Sequence, residues 1–158
     1  MALPCGFPIE SLLYNPSRMA FLWSDSWILT AVAIASKQAP AELWQILAAA
    51  DSLDHALPLD EELHGAFARL FGARYMEEFF GRYKIGAAVP PDVRTTLSNA
   101  KDYKDAEKFL SSERRDTTSD VGDTRNQVRY SKLTSEQIRE ADKKYRRWLK
   151  TNKTQPGS

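Results

Sequence analysis

Apolar residues recur every three or four positions in three stretches of the first ninety residues. This period places apolar side chains on one face of a helix, so each stretch predicts a helix that packs against a core. The first stretch predicts a helix over 26–36, with N-cap candidates at Ser24, Asp25 and Ser26. The strongest apolar positions of the three stretches predict the core: Trp27, Ile28, Ala31, Leu43, Leu47, Leu63, Phe67, Leu70 and Phe71.

The second and third stretches are followed by a pattern typical of a hairpin. The second helix is expected to open at Ala39–Pro40, because proline suits the first helical turn. The third is expected to be capped by Asp60 and to end at Gly72. Aromatic residues then lie on both sides of Gly81, which predicts a tight antiparallel turn.

The remaining segments are predicted from a capping motif and from changes in composition. The capping-box sequence Thr134–Gln137, with Leu133 and Ile138 placed for a hydrophobic staple, predicts the start of a C-terminal helix. The chain is therefore divided into a lead-in segment over 1–23, a winged-helix-like domain over 24–90, a helix over 91–110, a polar loop over 111–130, and a basic amphipathic helix with a frayed tail over 131–158.

Three helices closed by a hairpin indicate an α+β fold that is mostly α. The stretch WILTAVAIASKQAPAELWQILAAADSLDHALPLDEELHGAFARLFGARYMEEFFGRYKI resembles small uncharacterised bacterial winged helix-turn-helix domain proteins over about residues 24–86. A helical bundle with an incidental hairpin would give a similar pattern. The resemblance implies a three-helix core with a short hairpin as the wing, followed here by additional C-terminal helices.

The resemblance also implies a way of meeting DNA. In that superfamily the third helix enters the major groove and the wing lies along the neighbouring backbone. The candidate contacts in this part of the chain are Arg69, Arg74, Arg82 and Lys84. The third helix, however, begins with Asp60, Glu61 and Glu62, and carboxylates at that position oppose the phosphate backbone.

Charge is distributed unevenly along the chain. Residues 1–100 hold 7 Lys and Arg against 11 Asp and Glu, whereas residues 101–158 hold 15 against 10. The basic C-terminal helix supplies further candidate nucleic-acid contacts at Arg139, Lys143, Arg146, Arg147 and Lys150. Three interpretations of this helix stay open: its apolar stripe packs on the core and the basic face is solvated, the basic face binds phosphates, or Tyr145, Trp148 and Leu149 form a seam with a second copy or a partner protein.

The residues that enzymes and metal sites need are not assembled in recognisable motifs. His55 and His64 lie nine positions apart, the single Cys5 is distant, and no phosphate-binding or nucleophile motif is present. We therefore expect no catalytic residue, no cofactor and no metal. The apolar run 27–35 is too short to span a bilayer, and the first residues have no basic region of a signal peptide, so a cytoplasmic protein without a membrane partner is expected.

Together these features predict a non-enzymatic winged-helix protein that is DNA-associated or regulatory. The alternative is a protein-interaction module, or a homodimerising structural protein, that keeps the winged-helix fold without binding DNA.

Overall fold

The structure, a computed structural model, describes residues 21–113 and 133–153, and within them the fold is α+β and mostly helical. The elements in chain order are α1 (Trp23–Ala35), α2 (Leu43–Asp54), α3 (Asp60–Gly72), β1 (Met76–Phe79), β2 (Arg82–Ile85), α4 (Pro91–Ser98), α5 (Lys104–Glu113) and α6 (Ser135–Lys153).

Helix α1 is the centre of the core. All ten residues from Ser24 to Ala33 are buried, because α2, α3, α4, α5 and β2 pack around this helix. The indole N–H of Trp27 ties α1 to α2, because it donates to the Ala50 carbonyl at 2.9 Å. The predicted core residues are buried, with the exception of Phe71, which is only partly buried at the edge of the core.

The first three helices begin at positions that the sequence did not indicate. Their N-caps are Leu22, Glu42 and Leu59, not the predicted Ser, Asp and Pro positions. In each case the side chain at the third helical residue accepts the N-cap backbone N–H, at 2.8 Å, 2.8 Å and 2.9 Å respectively. One half of a capping box therefore starts each helix, and the N-cap side chain contributes no hydrogen bond.

The start of α2 shows why Ala39–Pro40 was a wrong prediction. Ala41 forms an isolated antiparallel bridge with Tyr83, and the two residues exchange N–H to carbonyl hydrogen bonds of 2.8 Å in both directions. The backbone at 40–42 is therefore extended and lies beside β2. Helix α2 begins only after it, at Leu43.

The predicted hairpin at Gly81 is confirmed. Strands β1 and β2 pair antiparallel from Met76 with Ile85 to Phe79 with Arg82. The two turn residues, Phe80 and Gly81, have φ of 53° and 78°, as a type I′ turn requires. The left-handed residue that follows the end of α3 is Arg74, with φ of 66°, and not Gly72.

The segment predicted as one helix over 91–110 contains two. Asn99 and Asp102 explain the break: the Asn99 amide donates to the Thr95 carbonyl, and Asp102 accepts the Lys104 backbone N–H. Such local side-chain bonds compete with helix continuation. Helix α5 also extends into the first residues of the predicted polar loop 111–130, and the rest of that loop lies outside the described residues.

Candidate nucleic-acid interface

Helix α6 starts as its sequence predicts. The Gln137 side chain accepts the Thr134 backbone N–H at 2.8 Å, and the Thr134 hydroxyl accepts the Gln137 N–H at 3.1 Å, which together form a capping box. Leu133 and Ile138 are both buried, as expected of a hydrophobic staple. The helix therefore has a fixed start and a fixed entry angle.

Helix α6 packs along α2 of the same chain. One face of the helix, at positions i, i+3 and i+7, is buried by this contact, and its residues are Ile138, Ala141 and Tyr145. The hydroxyl of Tyr145 donates to an oxygen of Asp51 at 2.5 Å. Burial, and then this hydrogen bond, raise the pKa of Tyr145 to about 12, so the hydroxyl keeps its proton and stays a donor at neutral pH.

An ion pair and two tryptophans complete this contact. Lys144 Nζ lies 2.8 Å from Glu42 Oε1 at the start of α2, and this hydrogen bond is the main reason that the pKa of Glu42 lies below its ordinary value. Trp148 packs against Trp44 with 5.9 Å between ring centroids and stacks on Tyr145 at the same distance. The three proposed seam residues are therefore placed differently: Tyr145 is buried on α2, Leu149 is partly buried, and Trp148 stays 44% exposed.

The opposite face of α6 carries the basic candidates. Arg139, Lys143, Arg146, Arg147 and Lys150 are all exposed. Their spacing of i, i+4, i+7, i+8 and i+11 places them on one face of the helix, over about 16 Å of its axis. We call these five residues the α6 basic stripe.

Acidic residues offset the α6 basic stripe only in part. Lys143 and Arg146 form exposed pairs within the helix, with Glu140 at 3.7 Å and with Asp142 at 2.9 Å. Arg139 and Arg147 lie beyond ion-pair distance of every carboxylate in the described parts of the chain. The stripe therefore presents a positive field to a ligand that approaches α6 from solvent.

Arg69, a candidate DNA contact, is held in an ion pair with a buried carboxylate, and only 18% of its side chain is exposed. Its Nε and Nη2 donate to Asp25 at 2.7 Å and 2.9 Å, and the Asp25 side chain is fully buried. Gly65 leaves room for this geometry, because a Cβ there would lie 2.8 Å from the guanidinium. The pair joins α1 to α3, so Arg69 stabilises the core.

The other three candidates of the hairpin region lie at the surface, on β2 and just after α3. Arg82 and Lys84 are exposed on β2, each within 4 Å of a glutamate: Glu42 at 3.8 Å and Glu77 at 3.9 Å. Arg74 is exposed at the end of α3, where its carbonyl excludes any side chain at Gly86. Arg82 contacts the same carboxylate as Lys144 of α6, whereas Arg74 and Lys84 form no ion pair with α6 within the described residues.

The exposed start of α3 is acidic, as the sequence indicated. Asp60 and Glu61 are exposed in its first turn, and Leu59 before them is also exposed. In the described residues no group of three or more His, Cys, Asp or Glu side chains could hold a metal ion. No helix within the described ranges is long and apolar enough to cross a membrane.

Two residues that matter in the structure were missed from the sequence. Asp25 was interpreted as a cap, and nothing near it in sequence indicates that its partner is 44 positions away. Phe80 occupies a turn position where Asn or Gly is usual, and it is 92% exposed. The dipeptide Phe80–Gly81, between two aromatic strands, was the sequence feature that could have indicated an exposed aromatic residue in the turn.

Comparisons with family models, with curated proteins and with solved structures gave no match. The geometry of the described residues is therefore the basis for the function that follows.

Proposed function

We propose that this chain is a non-enzymatic winged-helix protein of the cytoplasm that associates with duplex DNA through the α6 basic stripe. The order of α1, α2, α3 and the hairpin supports the winged-helix assignment, and so does the bridge between Ala41 and Tyr83. That bridge pairs the extended backbone ahead of α2 with β2.

The α6 basic stripe is the observation that carries the proposal. Duplex DNA presents one negative charge per ~1.7 Å of axis with both strands counted, so about 16 Å of axis carries about nine phosphates, of which the α6 basic stripe can reach those on the side that faces it. Arginine and lysine bind phosphate oxygens through charge-assisted hydrogen bonds, and the release of counterions contributes to affinity. Because these contacts involve the backbone, we expect little dependence on base sequence.

In this proposal α3 does not act as a recognition helix. The carboxylates of Asp60 and Glu61 are exposed at the end that would meet the bases, and they repel phosphates. Arg69, the only Lys or Arg of α3, is bound to Asp25. The DNA would therefore lie along α6, which α2 holds in place through Tyr145.

Helix α6 is better suited to DNA than to a membrane surface. An amphipathic helix binds a membrane by burying its apolar face among the lipids. The apolar face of α6 already packs against α2 through Ile138, Ala141 and Tyr145. The face that remains available is polar and basic, which fits phosphates that are reached from solvent.

A titration of fluorescein-labelled duplex DNA at low salt tests the proposal. The variant Arg139→Gln/Lys143→Gln/Arg147→Gln removes three charges of the stripe and keeps helix propensity nearly unchanged. We expect its affinity to fall at least tenfold, and the slope of log K against log salt to decrease in magnitude by about 2.7, at ~0.9 per phosphate contact.

A matched control variant is Arg94→Gln/Lys101→Gln/Lys108→Gln, which removes three exposed cations from the α4–α5 region. It changes the net charge by the same amount, so equal losses in both variants would mean a diffuse field instead of a site. If the wild-type chain does not bind at tens of micromolar in low salt, the DNA proposal is wrong.

The exposed start of α3 favours a second candidate, a protein-interaction module. Leu59 is 61% exposed beside Asp60 and Glu61, so this end of α3 offers an apolar side chain and two carboxylates that complement a basic protein surface. This function predicts no DNA binding at all. The same titration therefore separates the two candidates.

A further inference from the structure

The two faces of the hairpin differ in how deeply their side chains are buried. Met76, Tyr83 and Ile85 are buried on its inner face, against the core. Side chains alternate along a strand, so Glu77 and Phe79 of β1 lie on the outer face together with Arg82 and Lys84 of β2. The exposed side chains on the outer face include Phe79, which is 55% exposed. We call this surface, with Phe80 at its tip, the outer hairpin face.

The tip of this face carries an aromatic residue that the turn does not need. A type I′ turn requires positive φ at both central residues, for which Asn, Asp and Gly are preferred. Phe80 adopts φ of 53° and exposes 92% of its surface, with its ring edge-to-face on Phe79 at 4.7 Å. Both features are unfavourable in an isolated chain, which points to a binding role for the aromatic pair.

The charges of the outer hairpin face are arranged so that the face complements itself. Glu77 lies opposite Lys84 in the strand register, and Phe79 lies opposite Arg82. A two-fold axis parallel to the strands would lay β1 of one copy over β2 of another. Glu77 would then meet Lys84 of the second copy, and the Phe79 ring would meet Arg82 in a cation–π contact.

We propose that the outer hairpin face docks onto the same face of a second copy of this chain and forms a symmetric dimer. An isologous contact of this kind uses one patch twice. The net charge of +1 does not oppose it. Two four-residue strands and a turn offer less than the ~800 Å² per partner of a standard interface, so the dimer is weak, with a Kd on the order of tens of micromolar.

Sedimentation velocity of the full chain over a range of concentrations tests this dimer. The wild-type chain is expected to shift toward the dimer as its concentration rises through the Kd. The variant Phe80→Asn is expected to stay monomeric, and to melt at the same or a higher temperature because Asn suits the turn. A wild-type chain that is monomeric up to about 1 mM overturns the proposal.

Charge-swapped chains test the register in a way that misfolding cannot imitate. Alone, Lys84→Glu would place carboxylates against carboxylates, and Glu77→Lys would place ammonium groups against each other. Each variant is expected to weaken the dimer at least tenfold. An equimolar mixture pairs opposite charges at both contacts, so it is expected to form a heterodimer.

If the mixture stays monomeric although both variants are folded by circular dichroism, the proposed register is wrong. The variant Trp148→Ala serves as the control for an alternative interface on α6. A dimer that survives Phe80→Asn but is lost in Trp148→Ala would place the contact on α6 and overturn the proposal. The outcome does not depend on DNA binding, which involves a different surface.

Discussion

Two helix junctions in this molecule bring together opposite charges, in very different surroundings. Asp25 of α1 is fully buried and accepts two hydrogen bonds from Arg69 of α3, whose side chain is only 18% exposed. Glu42, just before α2, meets Lys144 of α6 through one contact, and the two side chains are 37% and 49% exposed. The first pair is inside the protein and the second is in contact with water.

This difference decides what each pair contributes. Removing one partner of a buried pair leaves an uncompensated charge, whereas an exposed pair is screened and contributes ~0–1 kcal/mol. The α1–α3 junction is therefore sensitive to the loss of one partner of its ion pair. The α2–α6 junction depends on the burial of Ile138, Ala141 and Tyr145, with the ion pair as a minor addition.

The largest effect is expected from Arg69→Met. Among the described residues, this change leaves the buried carboxylate of Asp25 with the Leu22 backbone N–H, at 2.8 Å, as its one remaining donor. The free energy of unfolding should fall by about 3–5 kcal/mol, measured by chemical denaturation. The double variant Asp25→Leu/Arg69→Met is the control and should recover much of the loss. A loss below about 1 kcal/mol for the single variant would contradict the difference between the junctions.

A smaller but substantial effect is expected from Ile138→Ala in α6. Ile138 is buried at the α2–α6 contact, so the change removes apolar contacts and leaves a cavity that costs about 2–4 kcal/mol. Denaturation followed by tryptophan fluorescence should report it, because Trp44 and Trp148 pack at this junction. The exposed Arg139→Ala is the control and should change stability by less than about 0.5 kcal/mol.

The third prediction isolates one hydrogen bond of the same junction. Tyr145→Phe keeps the ring and removes the hydroxyl that donates to Asp51. We expect a loss of about 1–2 kcal/mol, at the lower end of the range for bonds to charged groups because the site is partly exposed. The double variant Tyr145→Phe/Asp51→Leu should be no less stable than the single one, since the unpaired carboxylate is then removed. Additive losses would mean that the two residues are not coupled.

The smallest effect is expected from Lys144→Gln, and it should depend on pH. The pKa of Glu42 is lowered in the folded chain, so the pair stabilises the fold above the ordinary carboxyl pKa of 4.5 and this stabilisation is lost as the pH falls through the lowered value. Lys144→Gln should therefore cost less than about 1 kcal/mol at pH 7. The difference from wild type should decrease as the pH falls below the ordinary carboxyl pKa of 4.5 and through the lowered value, and it should also shrink at high salt. A constant difference across this range would rule out an electrostatic origin.

The apolar periodicity of the sequence was enough to predict that α1, α2 and α3 exist and which large apolar side chains of α2 and α3 form the core, but not that α1 is buried on all sides. The capping box at Thr134 and the turn at Gly81 were also predicted from their own residues. These signals are local, because a cap or a two-residue turn is satisfied by atoms within four positions. The same locality explains the errors in the helix starts: Asp25, Gln45 and Glu62 accept the N-cap N–H from inside the helix, which composition does not distinguish from capping by a preceding Ser or Asp.

The tertiary structure alone decided which charges are available for binding. Arg69 and Arg139 are both arginines on predicted helices, yet α1 buries a carboxylate against the first, whereas the second lies on the face of α6 that points away from α2. Sequence places each of them on a helix, but the partner of a charge depends on which elements pack together, and Asp25 lies 44 residues from Arg69. Packing over that distance is set by burial of the whole core, so no local pattern contains it.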